Sequence, residues 1–201
     1  NGGSAFAASD IAGLAVLNTV AASATGLSAW LVVERVRTGK ATLVGACTGL
    51  VAGLVVVTPG AGYVEPWAAV VMGVVVSPVC YFMISHLKAR LGYDDALDAF
   101  GCHGVGGVLG GLLTGIFCLP ELSPSGLGGL LYTGSPELLA RQALGIVVTI
   151  VIVGVLDLAI VLAVRAAFHG RLRVEQGEEA LGLDVASHGE SAYPAYSGLD
   201  S

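Results

Sequence analysis

The side chain of this sequence best suited to chemistry is that of His103, which lies inside the apolar stretch Asp95–Phe117. If a helix begins near Asp95, His103 lies about 12 Å along it, within the hydrocarbon layer of a membrane. An ionisable residue at that depth usually faces a cavity or a partner and marks the path of a substrate or a proton. We expect burial to keep the imidazole neutral, and a neutral ring can accept one proton while donating another. His103 therefore predicts proton transfer, and the alternative is a histidine that only bridges two helices.

Two carboxylates also lie inside or beside apolar stretches. Asp98 lies five residues before His103. There its carboxylate can accept hydrogen bonds from the free N–H groups of a helix start, so we expect a structural role. Asp157 lies midway through the last apolar stretch. It either pairs across a helix or subunit interface or is protonated, and the sequence indicates no partner for it.

The remaining candidate ligands and nucleophiles predict no site. None of the four cysteines belongs to a CxxC pair, and all lie in or beside apolar stretches, where cysteine acts as a small hydrophobic residue. Three histidines are predicted to be ordinary surface residues: His86, His169 and His188. We therefore expect no metal, no cofactor and no enzymatic activity. Basic residues do not cluster with aromatic ones, so no nucleic acid partner is expected.

The composition predicts an all-α polytopic membrane protein. Of the 201 residues, 55% are hydrophobic and 12% are charged, and the mean hydropathy is +0.82. Soluble domains carry roughly twice that share of charge. About five complete spans are expected, since a span needs about 20 residues. They are Ile11–Val33, Thr42–Thr58, Trp67–Leu87, Ala96–Cys118 and Ala143–Phe168.

The distribution of basic residues predicts the orientation. Eight of the nine Lys and Arg residues lie in alternate connections or at and after the end of the last apolar stretch, and only Arg141 lies on the other side. Basic connections remain in the cytoplasm, so Asn1 is predicted to lie outside and the tail inside. We expect a transmembrane domain over residues 1–170 and a polar, acidic cytoplasmic tail over residues 171–201.

Glycine spacing predicts helices that pack closely. Small residues four positions apart let membrane helices approach one another. The stretch that carries His103 has this GxxxG spacing twice, and the second predicted span has it as well. The residues are Gly107, Gly111 and Gly115 in the first case and Gly45, Gly49 and Gly53 in the second.

Four segments resemble the ammonium transporter family (the Amt/Mep/Rh group), in the order in which that family has them. They are NGGSAFAASDIAGLAVLNTVAA, LVGACTGLVAGLVVVTPGAGYV, DDALDAFGCHGVGGVLGGLLTGIF and GLDVASHGESAY, and they are spread over residues 1–193. The resemblance implies homotrimers of eleven-span protomers. Each protomer would have one apolar pore between two inverted halves, plus a final helix. This chain would be the second half of the inverted repeat and the final helix.

The resemblance also assigns roles to individual residues. His103 matches the second of two pore histidines that share a hydrogen bond and pass protons, and the first would lie outside this chain. Ser4 matches a serine that helps to hold ammonium at the outer mouth. Thr58 and Ala99 match positions that line the inner pore, and Val51 fits the same wall. Asp98 matches an aspartate at a helix start, whereas Asp157 matches nothing in the family pattern.

These matches lead us to expect transport of ammonium or ammonia across the plasma membrane, with histidine-assisted proton transfer. Two alternatives remain open at this stage. One is an ammonium sensor or receptor that uses the same fold and signals through its tail. The other is an Rh-like gas channel, although the spacing around His103 matches the Amt type more closely. The resemblance further implies a PII-type signal protein as a partner at the cytoplasmic face.

Overall fold

A computed structural model of the chain describes residues 1–190. The chain divides into two compact units, residues 1–149 and residues 150–201. The helices in chain order are α1 (Asp10–Thr38), α2 (Leu43–Val57), α3 (Pro66–Leu91), α4 (Phe100–Phe117), α5 (Leu130–Thr133), α6 (Glu137–Ala167) and α7 (Gln176–Leu181). Short 3₁₀ turns at Gly3–Ala5 and Pro120–Leu122 complete the first unit.

The predicted spans correspond to real helices with recognisable ends. Ser9 caps α1 by accepting a hydrogen bond from the N–H of Ala12, and Thr42 caps α2 by accepting one from Gly45. Pro66 occupies the first turn of α3, where its missing N–H costs nothing. Helices α1, α3, α4 and α6 are long and apolar enough to cross a membrane, while α2 has 15 residues. The all-helical fold class is confirmed.

Helices α1 and α2 approach each other through residues without bulky side chains. A Cβ atom added at Gly53 would lie 2.2 Å from the carbonyl oxygen of Ala22, and one added at Gly49 would lie 2.3 Å from Cβ of Trp30. Gly26 of α1 meets the backbone of Gly49 in the same way. The GxxxG spacing of α2 therefore does mark a close-packed face.

The core of the first unit lies between α2, α3 and the segment that joins them. Its largest fully buried apolar side chains are Val56, Val57, Val64, Met72 and Val76. Trp30 of α1 is also buried and meets Tyr81 edge-on, with ring centroids 5.5 Å apart. The inner face of α1 thus covers this core.

Helix α4 begins later than the sequence suggested. Asp98 has a left-handed φ of 54°, which interrupts the helix before Phe100. The Asp95 carboxylate accepts hydrogen bonds from the N–H groups of Ala99 and Phe100 at 2.8 and 2.9 Å, so it acts as the cap. The expected start near Asp95 is therefore wrong. His103 lies about 5 Å along the helix rather than about 12 Å.

The start of α6 packs against two glycines of α4, Gly111 and Gly115. A Cβ at Gly115 would lie 2.7 Å from Cα of Leu139, and one at Gly111 would lie 3.0 Å from Cδ1 of Ile146. This contact confirms close packing for Gly111 and Gly115. Gly107 differs, because nothing lies within 4 Å of its added Cβ.

The second unit comprises the end of α6, α7 and a π-helical turn at Asp184–His188. From Ile150 to Ala167 every side chain of α6 is exposed, including that of Asp157. Asp157 has no hydrogen bond or ion pair within residues 1–190. In the predicted tail, the guanidinium group of Arg173 pairs with the carboxylate of Glu179, and the nitrogen and oxygen atoms are 2.7 Å apart. Residues 191–201 of that tail lie outside the described residues.

Candidate functional site

His103 lies in a π-helical turn, Phe100–Gly104, at the start of α4, and its side chain is exposed. Such turns often occur at functional sites, because they shift side chains out of the α-helical register. The neighbouring side of α4 packs on α2: an added Cβ at Gly110 would lie 2.3 Å from the carbonyl oxygen of Val56. One turn after His103, the space around Gly107 is open. The expected burial of His103 is thus not provided by residues 1–190.

An open cleft of about 480 Å³ runs beside this uncovered side of α4. Its walls are mainly glycine and apolar side chains, with the hydroxyl of Thr149 and the amide of Gln142 as polar groups. The lining from α4 is Gly104, Gly107, Val108 and Gly111, and the lining from α6 includes Gln142 and Ile146. Little in this cleft could compensate a bare charge.

A second, more polar cavity of about 310 Å³ brings Ser4 and Thr58 together. Asn1 contributes an amide, whose Nδ2 donates to Oγ1 of Thr19 at 2.9 Å and to Oγ1 of Thr58 at 3.4 Å. The opposite wall is formed by Ile11 and Ala15 of α1 and by residues 61–63. Hydroxyl oxygens carry two lone pairs, so Ser4 and Thr58 can accept hydrogen bonds from a small cationic donor.

The three residues predicted to line the pore lie in different parts of the first unit. Thr58 is exposed in the cavity beside Ser4 and directly follows the last residue of α2. Ala99 is also exposed but follows Asp98, whose carboxylate is 2.7 Å from Lys88 near the far end of α3. We expected Thr58 and Ala99 to line the inner pore together; Thr58 lies in the Ser4 cavity, and a pore-lining role for both residues stays a prediction. Val51 is half-buried, two turns before Thr58 on α2.

Asp95, three residues earlier, fills the role expected for the carboxylate of Asp98, which was to accept hydrogen bonds at the start of the helix. The Asp95 side chain binds the free N–H groups, whereas Asp98 Oδ1 pairs with Nζ of Lys88, which also donates to the carbonyl of Asp95. Asp98 still stands at the helix start, but it joins α3 to α4 instead of capping α4.

Sequence reasoning missed a carboxylate that joins α3 to α5. Glu65 Oε2 accepts hydrogen bonds from the hydroxyl of Tyr132 at 2.6 Å and from Nε1 of Trp67 at 2.8 Å. The hydrogen bond from Tyr132, followed by that from Trp67, lowers the pKa of Glu65. Burial and, to a smaller extent, the hydrogen bond to Glu65 raise the pKa of Tyr132 to about 12. An acid placed directly before Pro66 was the available signal.

Sequence reasoning also missed Asn18, which is fully buried in α1. Its Nδ2 donates to the backbone carbonyls of Ala61 and Val64, both at 2.8 Å. The signal was a polar amide within the apolar stretch Ile11–Val33. Within residues 1–190, no three His, Cys, Asp or Glu side chains come together where a metal ion could bind.

The sequence pattern of the Ammonium Transporter Family matches residues 1–193. An ammonium transporter of Bacillus subtilis is 42% identical over 193 residues, which cover 96% of this chain and 47% of the relative. The crystal structure of Candida albicans Mep2 matches 89% of this chain and 40% of its own, with a TM-score of 0.79 and 34% identity. A structure described as a sensor Amt protein matches 93% of this chain and 44% of its own, with a TM-score of 0.80 and 31% identity.

The matched relatives are about twice as long as this chain, which spans 47% of the Bacillus protein. The apolar helices and these relatives support a multi-pass membrane protein. The resemblance noted in the four sequence segments is confirmed over nearly the whole chain. By sequence pattern, by relatives above 40% identity and by fold, the chain belongs to the ammonium transporter family.

Proposed function

We propose that the complete protein carrying this chain transports ammonium or ammonia across the plasma membrane through an apolar pore. The observation that carries this proposal is the position of His103. It is an ionisable side chain on an otherwise apolar helix, and residues 1–190 leave its side of the helix uncovered. The name of the Bacillus relative, an ammonium transporter, supports the same substrate.

The cavity with Ser4 and Thr58 recruits the cation at the outer side. An ammonium ion has four N–H donors and no lone pair, so it requires acceptors, which the two hydroxyl groups offer. Removing the ion from water without full compensation is far more costly than removing neutral ammonia. The cation therefore loses its proton before the nitrogen enters the apolar part of the path.

His103 receives or passes that proton inside the apolar part of the path. A neutral imidazole has one donor and one acceptor nitrogen, which suits it to relay a proton to a second histidine. The family resemblance implies that this second histidine belongs to a part of the complete protein outside this chain. Val51 and Ala99 line the path on the two sides of the relay, and neither side chain can hold a charge.

The proposal includes the arrangement of the whole protein. The family resemblance supports a homotrimer. In each protomer, the N-terminal end of this chain would lie outside the cell and its tail would lie in the cytoplasm. It also supports a PII-type signal protein as a partner at the tail segment GLDVASHGESAY. Of that segment, residues 182–190 are described and residues 191–193 are not.

A sensor of ammonium is the second candidate function. It is favoured by the match to the sensor Amt structure, at 31% identity and a TM-score of 0.80. A sensor would bind ammonium in the Ser4 cavity and alter its tail without transporting the ion. Flux measurements therefore separate the two functions.

The test uses the complete protein in liposomes and measures uptake of labelled methylammonium together with proton movement. We expect His103→Ala to change the uptake rate or the number of protons moved per substrate. His86→Ala is the matched control, because His86 is exposed at the end of α3 and stacks on Phe82. Unchanged uptake and unchanged proton coupling in His103→Ala would refute the proposed relay. No uptake by the parent protein would favour the sensor.

A further inference from the structure

The connection between α2 and α3 forms one wall of the outer cavity. Residues 58–64 form successive turns, in which the N–H groups of Tyr63 and Val64 both donate to the carbonyl of Gly60. Thr58, Ala61, Gly62 and Tyr63 of this connection line the cavity that contains Ser4. Carbonyl groups in such turns lack the regular N–H partners that a helix provides, so they must be satisfied in another way.

Asn18 of α1 donates the hydrogen bonds that two of these carbonyl groups need. Its amide nitrogen donates to the carbonyl oxygens of Ala61 and Val64, both at 2.8 Å, and the side chain is 0% exposed. Both partners can only accept, so the nitrogen of the amide must face them. The amide oxygen has no hydrogen-bond partner within residues 1–190. The side chain therefore acts only as a double donor.

The position of Asn18 on α1 relates it directly to the cavity. Ala15, one helical turn earlier on the same buried face, lines the cavity together with Ala61. The two hydrogen bonds of Asn18 consequently set the distance between the α1 wall and the connection. The connection is also held at Tyr63, whose carbonyl accepts from the N–H of Leu119 at 2.9 Å, but that bond lies on the side of α4.

We propose that Asn18 is a positioning residue that holds the Thr58–Val64 connection against α1 and thereby fixes the geometry of the outer ammonium cavity. This inference rests on the proposed function for the identity of the ligand. Asn18 does not touch the substrate. It acts through Thr58 and the backbone of residues 61–63, which form the cavity wall.

The test compares Asn18→Leu with the parent in the complete protein. Leucine has nearly the same size but donates no hydrogen bond, so both bonds to the connection are lost. We expect amide hydrogen exchange of residues 58–64 to become about tenfold faster, and the methylammonium concentration for half-maximal uptake to rise about tenfold. The maximal rate should change less, because the relay around His103 is untouched.

Ser77→Ala is the matched control. Ser77 is also fully buried, and its hydroxyl donates to the carbonyl of Gly26 at 2.6 Å, so it too joins two helices by a bond to backbone. It does not line the outer cavity. We expect Ser77→Ala to leave exchange of residues 58–64 and half-maximal uptake unchanged. An equal effect of both variants would show general destabilisation and overturn the role of Asn18.

Asn18→Ser decides the matter if Asn18→Leu does not fold. A serine keeps one hydroxyl donor, so we expect an intermediate increase in exchange of residues 58–64. Parent-like exchange in a folded Asn18→Leu or Asn18→Ser variant would refute the proposal. Hydrogen exchange needs no transport, so a parent protein that moves no methylammonium would refute the proposed function and leave exchange to judge Asn18.

Discussion

Single side chains join the helices of the first unit at both ends of α3. Near its far end, Lys88 pairs with Asp98 at 2.7 Å, which ties α3 to the residue before α4. At its start, Glu65 binds Tyr132 of α5. Both pairs are partly open to solvent, so they contribute more to the placement of helix ends than to global stability.

The Glu65 contact predicts a dependence on pH. Its pKa is lowered from 4.5, chiefly by the Tyr132 hydrogen bond. A carboxyl group with a lower pKa in the folded state adds stability above its unfolded-state pKa and loses it as the pH falls through the folded value. We expect the complete protein to melt at a higher temperature than Glu65→Gln at pH 7, and this difference to be lost at an acidic pH well below 4.5.

Thermal unfolding in detergent at the two pH values measures this effect. Glu121→Gln removes an exposed carboxylate from the connection between α4 and α5 and serves as the control. We expect it to melt like the parent at pH 7. A Glu65→Gln variant that melts like the parent at pH 7 would show that the Tyr132 contact adds no stability.

At the scale of helices, α1 and α2 pack through backbone contacts that leave no room for a side chain. The added Cβ at Gly53 would meet the backbone of Ala22 at 2.2 Å, and a backbone atom cannot turn aside as a flexible side chain can. We expect Gly53→Ala to destabilise the complete protein by about 1–3 kcal/mol, because the helices must separate. Chemical denaturation in detergent measures the loss.

Gly13→Ala in α1 is the control for that prediction. Nothing lies within 4 Å of its added Cβ, and alanine favours a helix more than glycine does. We expect Gly13→Ala to be neutral or slightly stabilising. If Gly53→Ala were as stable as Gly13→Ala, the close approach of α1 and α2 would not be a requirement of the fold.

At the scale of the whole molecule, this chain corresponds to less than half of its relatives, and its proposed relay residue lies on an uncovered face. Transporters built from inverted repeats place the substrate at the interface of the two halves. We therefore expect liposomes that contain only residues 1–201 to take up no more labelled methylammonium than empty liposomes. The complete protein, reconstituted in the same way, is the positive control. Uptake by residues 1–201 that is lost in His103→Ala would contradict the half-site arrangement.

Properties that depend on near neighbours in the chain could be predicted from the sequence alone. Apolar runs of about 20 residues located the helices, because such a run is a property of consecutive residues. The glycine spacing of α2 predicted a close-packed face, since GxxxG places its members on one side of a helix. The family followed from the order of four segments, and His103 was already the leading candidate.

Contacts between distant residues were decided only by the tertiary structure. The bonds of Asn18 to Ala61 and Val64 join residues more than forty positions apart, and no local pattern encodes such a pairing. Asp95 and Asp98 were both possible caps of α4. In the structure the Asp98 carboxylate pairs with Lys88 of α3, and the Asp95 carboxylate accepts the hydrogen bond from the helix start. The exposure of His103 is likewise a property of packing, because the same helix sequence is compatible with a covered or an uncovered face.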